Sequence, residues 1–211
     1  MKIRWLGHAS FLIETEGKKI ITDPFEERVG YPLYEGEVDI ATVSHDHYDH
    51  NAVHLLKGNP VAVKGTGFFE FGNIKITGYL SYHDKNEGKD RGENIIYKIS
   101  AEGIDVLHLG DLGHVLDDNF VSQIGKVDIL LVPVGGTFTI DAEEAFILAQ
   151  KIKPAIIIPM HFATPALTFT LLPVEAFTSK FDYTVKKHYL DLTREDLNNT
   201  RGEVIVLDYT F

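Results

Sequence analysis

His45-Asp46-His47-Tyr48-Asp49-His50 puts three imidazoles and two carboxylates into six consecutive residues. Imidazole nitrogen and carboxylate oxygen are the donors that zinc and related divalent cations accept. A solvated, charge-rich loop is the alternative reading, but solvation alone asks for no imidazoles. Donors serve one ion only if they converge, and an extended strand would send alternate side chains to opposite faces. The stretch directly follows the apolar run Ile40-Ala41-Thr42-Val43, so it is expected on a tight loop where a buried strand ends.

One tetrahedral ion takes four ligands, and a pair sharing a bridge takes about seven or eight. Further donors are therefore needed, and three stand where apolar, β-rich runs stop. His83 follows residues 76–82, Asp111 follows Val106-Leu107-His108-Leu109-Gly110, and His161 follows residues 155–160. Any one of them alone reads equally as turn or cap chemistry. Three at strand ends beside the six-residue motif point to one constellation, because a rigid sheet positions groups that its loops leave accessible.

The elements that must do this positioning are mostly strands in the first half. Runs at 2–6, 10–15 and 19–22 predict strands, with Glu16-Gly17-Lys18 as the turn between the last two, and 40–44 predicts a strand buried on both faces. Residues 51–57 predict a helix stopped by Gly58-Asn59-Pro60, and strands resume at 60–64, 68–71, 73–82, 94–100 and 105–109. The second half alternates: helix 118–125, strand 128–134, helix 141–152, strand 155–160, helix 173–181 and strand 203–209. Asp141 and Glu144 form a capping box, and Pro154 marks the stop of that helix. Strand meanders followed by β-α-β units imply two sheets with helices packed outside them. Without repeats or a Pro- or Ser-rich linker, 1–211 is expected to be a single domain.

Composition narrows the chemistry. The chain has no cysteine, which removes disulfides, a thiolate nucleophile, Cys-bound zinc and iron–sulfur clusters. Any metal must be held by nitrogen and oxygen. A net charge of −11, with ten histidines counted as neutral, argues against wrapping a nucleic-acid backbone. It is compatible with a small anionic substrate bound at a metal, where the ion sets the local charge. No apolar run reaches the eighteen or so residues of a membrane span, and residues 1–8 lack a signal peptide's features, so cytoplasmic residence is expected.

His-x-His-x-Asp-His, followed at growing distance by one His, one Asp and one His, resembles the metallo-β-lactamase superfamily, the ligand pattern running from His45 to His161. Trp5-Leu6-Gly7-His8-Ala9-Ser10, Thr22-Asp23-Pro24 and Leu107-His108-Leu109-Gly110-Asp111-Leu112-Gly113-His114 narrow it. They are similar to a branch of small metal-dependent hydrolases that includes ascorbate-phosphate lactonase relatives and, more distantly, N-acyl-phosphatidylethanolamine phospholipases.

The resemblance implies an α+β or α/β four-layer αβ/βα sandwich, two mixed β-sheets flanked by helices, with two divalent ions at one edge. Zinc suits the nitrogen-rich donors, and manganese or iron is compatible with the carboxylates. By position, the resemblance assigns His45, His47 and His83 to one ion, Asp49, His50 and His161 to the other, and Asp111 to a bridge. Asp49 is also expected in catalysis, orienting a hydroxide or carrying a proton to the leaving group. His8 and Asp23 are expected behind the ligands, orienting them, and His114 near the substrate. The implied activity is hydrolysis of a small lactone, ester or phosphoester by a metal-bridging hydroxide. The alternatives are a nuclease or phosphodiesterase acting on nucleic acid, and a metal-binding module without catalysis.

Other residues carry weaker signals. His54 and His188 read as surface residues, His108 as a hydrogen-bonded core histidine, and Asp46 as a loop residue pointing away from the metals. Gly135-Gly136-Thr137 either offers backbone N–H groups to an oxyanion or turns a loop that needs positive φ. The apolar loop 162–172, with Phe162, Leu167, Phe169 and Leu171, either lines an acyl or aromatic pocket or packs against a second subunit of a homo-oligomer.

Overall fold

The meander expected at the start of the chain forms and becomes the centre of the first sheet. In the computed structural model, which describes residues 1–209, β1 (Lys2–Gly7), β2 (Ser10–Thr15) and β3 (Lys18–Thr22) pair antiparallel. Parallel β4 (Ile40–Val43) and β5 (Val61–Lys64) extend the sheet on one side, and the two-residue β13 (Leu190–Asp191) pairs with β1 on the other.

The second sheet joins two styles. β6 (Gly67–Phe71), β7 (Ile74–Tyr82), β8 (Glu93–Ala101) and β9 (Ile104–His108) form an antiparallel meander. Beyond β9 the pairing turns parallel through β10 (Ile129–Pro133), β11 (Ile156–Met160), β14 (Glu203–Leu207) and β12 (Thr184–Lys187). β10 and β11 are buried along their whole length, as parallel strands covered on both faces must be.

Strand alternation builds the core between the sheets. Phe11, Ile13 and Ile20 from the first sheet and Ile76, Ile99 and Val106 from the second belong to one buried cluster. α2 (Ala142–Ile152) packs on β10, with α1 (Asp118–Ile124) and α3 (Glu175–Thr178) beside it. The capping box closes as expected: the Asp141 side chain accepts from Glu143 and Glu144 N–H, and Glu144 reaches back to the Asp141 N–H.

The other outer layer is different. Leu6, Leu12 and Ile21 face away from the shared core and are covered by Phe25, Val29, Tyr31 and Val38, together with Leu167 and Phe169. This cover is irregular chain with a 3-10 turn at Glu27–Val29, because Pro24, Gly30, Pro32 and Gly36 interrupt every helical run.

Three expectations need correction. The helix predicted at 51–57 is a single 3-10 turn, Val53–Leu55. The segment is too short to offset helix nucleation, and after a local bond from Asn51 N–H to His47 O the next amide, Ala52 N–H, is drawn away to Pro24 O. The helix predicted at 173–181 shortens to Glu175–Thr178. β12 and β13 form where no strand was expected; β12 is recruited by β14 despite Lys186 and Lys187, which project at a solvent-exposed sheet edge.

Several strands end at one edge, and cross-sheet hydrogen bonds lock those ends together. His161 N–H donates to His8 O at 3.1 Å and Ile95 N–H to Ser44 O at 2.8 Å. The Tyr97 hydroxyl donates to Val43 O at 3.0 Å, and His108 Nε2 meets Ala9 O at 2.7 Å. Gly110 N–H donates to the other ring nitrogen of His108, so this buried histidine is the hydrogen-bonded core residue its apolar strand predicts.

Candidate metal centre

The six-residue motif leaves the end of β4 and folds back at once. His50 and Asn51 N–H both donate to His47 O, at 2.9 and 3.0 Å, and the turn gathers His45, His47, Asp49 and His50 on one side. Asp46 points outward and accepts from Asn51 Nδ2 at 2.6 Å, while Tyr48 lies exposed beneath the Arg28 guanidinium.

At the centre stands a single oxygen. Asp111 Oδ2 lies 3.3 Å from each of His50, His83 and His161 Nε2, and 4.0 Å from His45 Nε2. Potential ligand atoms of His45, His47 and His83 all lie within 4.8 Å of one another, as do those of His8, His50 and His161. Asp111 shares a third such group with His45 and His50. Asp49 Oδ2 lies 3.8 Å from His50 Nε2.

Asp23 decides which way these rings carry their protons. Its carboxylate, fully buried, accepts from Ser44 N–H at 2.7 Å, from the Ser44 hydroxyl at 2.6 Å and from His50 Nδ1–H at 2.9 Å. Since the Ser44 hydroxyl donates to Asp23, its oxygen accepts from His45 Nδ1–H, 2.9 Å away. In their neutral, ligand forms His45 and His50 therefore both turn an Nε2 lone pair inward. One carboxylate, through one hydroxyl, sets the tautomer of a ring in each half of the cluster.

The residues present fit a divalent cation. His45 Nε2 and Asp111 Oδ1 are buried without a hydrogen-bond partner, and inward lone pairs facing a carboxylate need a positive charge between them. Burial pushes His45 down to about 3 and His8 down to about 4, and lowers His83 as well, so these rings are neutral donors at physiological pH. His50 goes the other way. Burial opposes its charge, but Asp111 and Asp23 outweigh burial and hold its pKa well above the ordinary value. Burial likewise opposes the charge on Asp111, and His161 and His50 outweigh it, keeping Asp111 ionised.

His8 stands closer to the cluster than an orienting group behind the ligands. Its ring is fully buried, and its Nε2 lies 3.2 Å from both His50 Nε2 and Asp49 Oδ2, level with the other donors. Its backbone is left-handed, with φ of 53°, as are Asp23 at 40° and His161 at 53°. Positive φ is uncommon outside glycine, and three such residues at one site indicate that the surrounding structure enforces the geometry. Gly7 precedes His8 at φ 111°, and the Tyr31 ring occupies the space a Cβ would need.

The remaining candidates separate. His114 is not brought into the cluster. Its ring lies 6.0 Å from that of Tyr82, and it does not line the cavity described next. Gly135 is needed because the His161 carbonyl occupies the place of its Cβ, and Gly136 supplies φ of 72°; Thr137 N–H is spent on Gly135 O. In the 162–172 loop, Phe162 packs on Trp5 with centroids 4.9 Å apart, whereas Phe169 reaches the metal cluster, 5.4 Å from the His8 ring. His54 and His188 are exposed.

A cavity of about 300 Å³ opens onto the cluster, lined by His47, Tyr48, Asp49, His83 and Asp111 together with Arg91, Phe138 and Phe169. Sequence reasoning missed Arg91 and Phe138, which no motif marks. The loop carrying Arg91 is built on Asp84, the neighbour of His83. Asp84 Oδ1 accepts from Asn86 and Gly88 N–H, and Oδ2 from Asp90 and Arg91 N–H. Partial burial opposes its charge, but these four donors outweigh it and pull the carboxyl down to about 2. For a lowered carboxyl the order it supplies is complete above the ordinary value near 3.8 and fades as pH falls toward 2. Asp84→Ala is expected to speed amide hydrogen exchange at 86, 88, 90 and 91 by at least about tenfold at neutral pH. The difference from wild type should shrink as the solution is acidified from pH 4 toward 2, and unchanged exchange would remove Asp84 as the organiser of the loop.

A profile of the beta-lactamase superfamily domain matches residues 2–161. A UPF0173 metal-dependent hydrolase of Saccharolobus solfataricus is 32% identical over 77% of this chain and 85% of its own length. A counterpart from Carboxydothermus hydrogenoformans is 32% identical over 78% and 85%. Among solved structures, a candidate Zn-dependent hydrolase of the metallo-beta-lactamase superfamily from Thermotoga maritima is 41% identical, covers 98% of this chain and 97% of its own, and superposes with a TM-score of 0.81. Igni18, a metallo hydrolase from Ignicoccus hospitalis, shares the fold at 18% identity, covering 100% and 96% with a TM-score of 0.72.

Proposed function

This chain belongs to the metal-dependent hydrolases of the metallo-β-lactamase superfamily, and from that membership we propose a dinuclear enzyme acting on a small lactone, ester or phosphoester. In this reading His45, His47 and His83 hold one ion, Asp49, His50 and His161 the other, and Asp111 stands between them. His8 adjoins the second group. The observation that carries the reading is the placement of Asp111 Oδ2 at 3.3 Å from three imidazole nitrogens that divide between the two groups.

When bound, such ions supply Lewis acidity and bring a coordinated water to a pKa of about 7, so that hydroxide is available at neutral pH. The chain's own residues do the rest. Asp49 is ionised, since His8 and His50 outweigh the burial that opposes its charge; it lines the cavity, and its Oδ2 lies 3.2 Å from His8 Nε2. That oxygen accepts a hydrogen bond from the nucleophilic hydroxide, orienting it, and relays the hydroxide's proton to the leaving group as the bond to it breaks. Phe138 and Phe169 wall one side and exclude water from the reacting bond. A cavity of about 300 Å³ suits a small molecule. No helix among the described residues is long and apolar enough to cross a membrane, and cytoplasmic residence goes with this reading. Zinc goes with the nitrogen-rich donor set.

Chelation and reloading test the proposal. Stripping the protein is expected to abolish hydrolysis of bis-4-nitrophenyl phosphate or of a simple lactone. It should also lower Tm by about 8–16 °C, taking loss of an ion held at 1,000 times its Kd and about 2–4 °C per kcal/mol. Activity should return in proportion through the second equivalent of zinc or manganese. Saturation at one equivalent would rule out the dinuclear reading. Two bound ions with no turnover across ester, lactone and phosphoester panels would favour a metal-binding module.

A further inference from the structure

We propose that the cavity beside the metal cluster is a subsite for a substrate whose apolar body carries a carboxylate or similar anion, and that Arg91 is the anchor for that anion. The inference rests on the hydrolase reading above and adds the substrate class.

Among the described residues Arg91 is the one lysine or arginine lining this cavity, which His83 and Asp111 also line. Its charge is unspent. Arg4, Arg28 and Arg194 each pair with a carboxylate, Glu14, Glu26 and Asp128 respectively. Arg201 donates to Thr200 O. Among the described residues no carboxylate lies within ion-pair reach of Arg91, although the chain holds 31 acidic residues against 20 basic ones.

The contact the guanidinium does make leaves its donors free. Its Cζ lies over the Phe138 ring, 4.6 Å from the centroid. A guanidinium lying on an aromatic face is held by cation–π attraction while the N–H edges stay open for a planar anion. Phe138 and Phe169 meet at 63° with centroids 6.2 Å apart, forming an apolar corner beside the charge. The backbone is fixed as well, because Arg91 N–H is one of the four donors bound by Asp84. Cation, apolar corner and metal-cluster residues thus line one small cavity. A substrate that fills it presents an anion to Arg91, an apolar segment to the two phenylalanines and its scissile bond to the metals.

The test uses two esters that share a leaving group, mono-4-nitrophenyl glutarate and its methyl ester, on metal-loaded protein. Wild type should prefer the free acid. In Arg91→Ala the ratio of kcat/KM for acid over methyl ester should fall about 10- to 100-fold, chiefly through KM, as loss of a charge-assisted hydrogen bond predicts. Arg91→Lys should restore part of the preference, and Arg91→Glu should reverse it. Equal losses on both esters would mark Arg91 as a packing residue, and unchanged kcat/KM on both would leave it outside the subsite; either overturns the proposal. Calorimetry of 3-phenylpropanoate against 3-phenylpropanamide, with the same loaded proteins, keeps the test independent of turnover. Arg91→Ala should erase the preference for the acid. Should loaded wild type hydrolyse neither ester, the hydrolase reading fails on that arm, while the calorimetric pair still decides the anchor.

Discussion

Asp111→Ala is expected to yield a folded protein that retains less than one equivalent of zinc after dialysis and hydrolyses its substrate at least on the order of 10²–10³-fold more slowly, the scale set by removing one preorganised electrostatic group. Asp111 Oδ2 is the point on which His50, His83 and His161 converge, each at 3.3 Å. Without it, imidazole lone pairs from both groups face one another with no anion to draw two cations together. Asp111→Asn separates charge from shape. The amide keeps an oxygen near the same place but cannot offset two dications, so it should bind one equivalent and lose most activity. The measurements are metal per chain by elemental analysis and kcat on reloaded protein. Two equivalents and unimpaired turnover in Asp111→Ala would take Asp111 out of the centre altogether.

Legibility of this chain in its sequence followed the range of the physics involved. Short β-rich runs such as 10–15 and continuous apolar runs such as 129–133 express local burial, so their strands were readable without tertiary information. The segment 51–57 misled because its helical pattern competes with a tertiary acceptor, Pro24 O, that sequence does not display. β12 exists because β14 offers it an edge, which no local preference of Thr184-Val185-Lys186-Lys187 announces.

The site divides along the same line. Six dense residues and three strand ends are spacing signals. The position of His8 is not, because it follows from a left-handed turn at φ 53° and from the bond between its carbonyl and His161 N–H, across 153 residues of chain. The one hint was Gly7, whose freedom from a Cβ is what admits Tyr31 beside that turn. Arg91 had no hint at all; it sits in a polar loop, and only Asp84 and Phe138 give it a direction.

Asp23 is where a change of one heavy atom should cost metal binding more than folding. Its Oδ2 accepts from both the Ser44 hydroxyl and His50 Nδ1–H, and its Oδ1 accepts from Ser44 N–H. In Asp23→Asn the amide keeps its oxygen on the Ser44 N–H and turns an NH₂ toward the other two groups. His50 Nδ1 must then accept, which moves its proton to Nε2. The Ser44 hydroxyl, receiving the amide's second hydrogen, donates instead to His45 Nδ1, and the His45 proton moves to Nε2 as well. Both halves of the cluster would thus exchange an inward lone pair for an inward N–H. Zinc affinity is expected to fall by about 10–100-fold or more, the range for losing the group that fixes a ligand's tautomer, and Tm of the metal-free protein should fall less than in Asp23→Ala, since the Ser44 N–H keeps its acceptor. Asp23→Ala should weaken zinc within the same range by loosening both rings. It also leaves the buried Ser44 N–H without a partner, costing about 1–3 kcal/mol of stability, or about 2–12 °C in Tm. Ser44→Ala confines the tautomer change to His45 and should weaken one equivalent of zinc only. Competition against a chromophoric chelator measures the affinities, and scanning calorimetry of the stripped proteins measures Tm. Wild-type zinc affinity in Asp23→Asn would show that these two rings take their tautomers from somewhere other than Asp23.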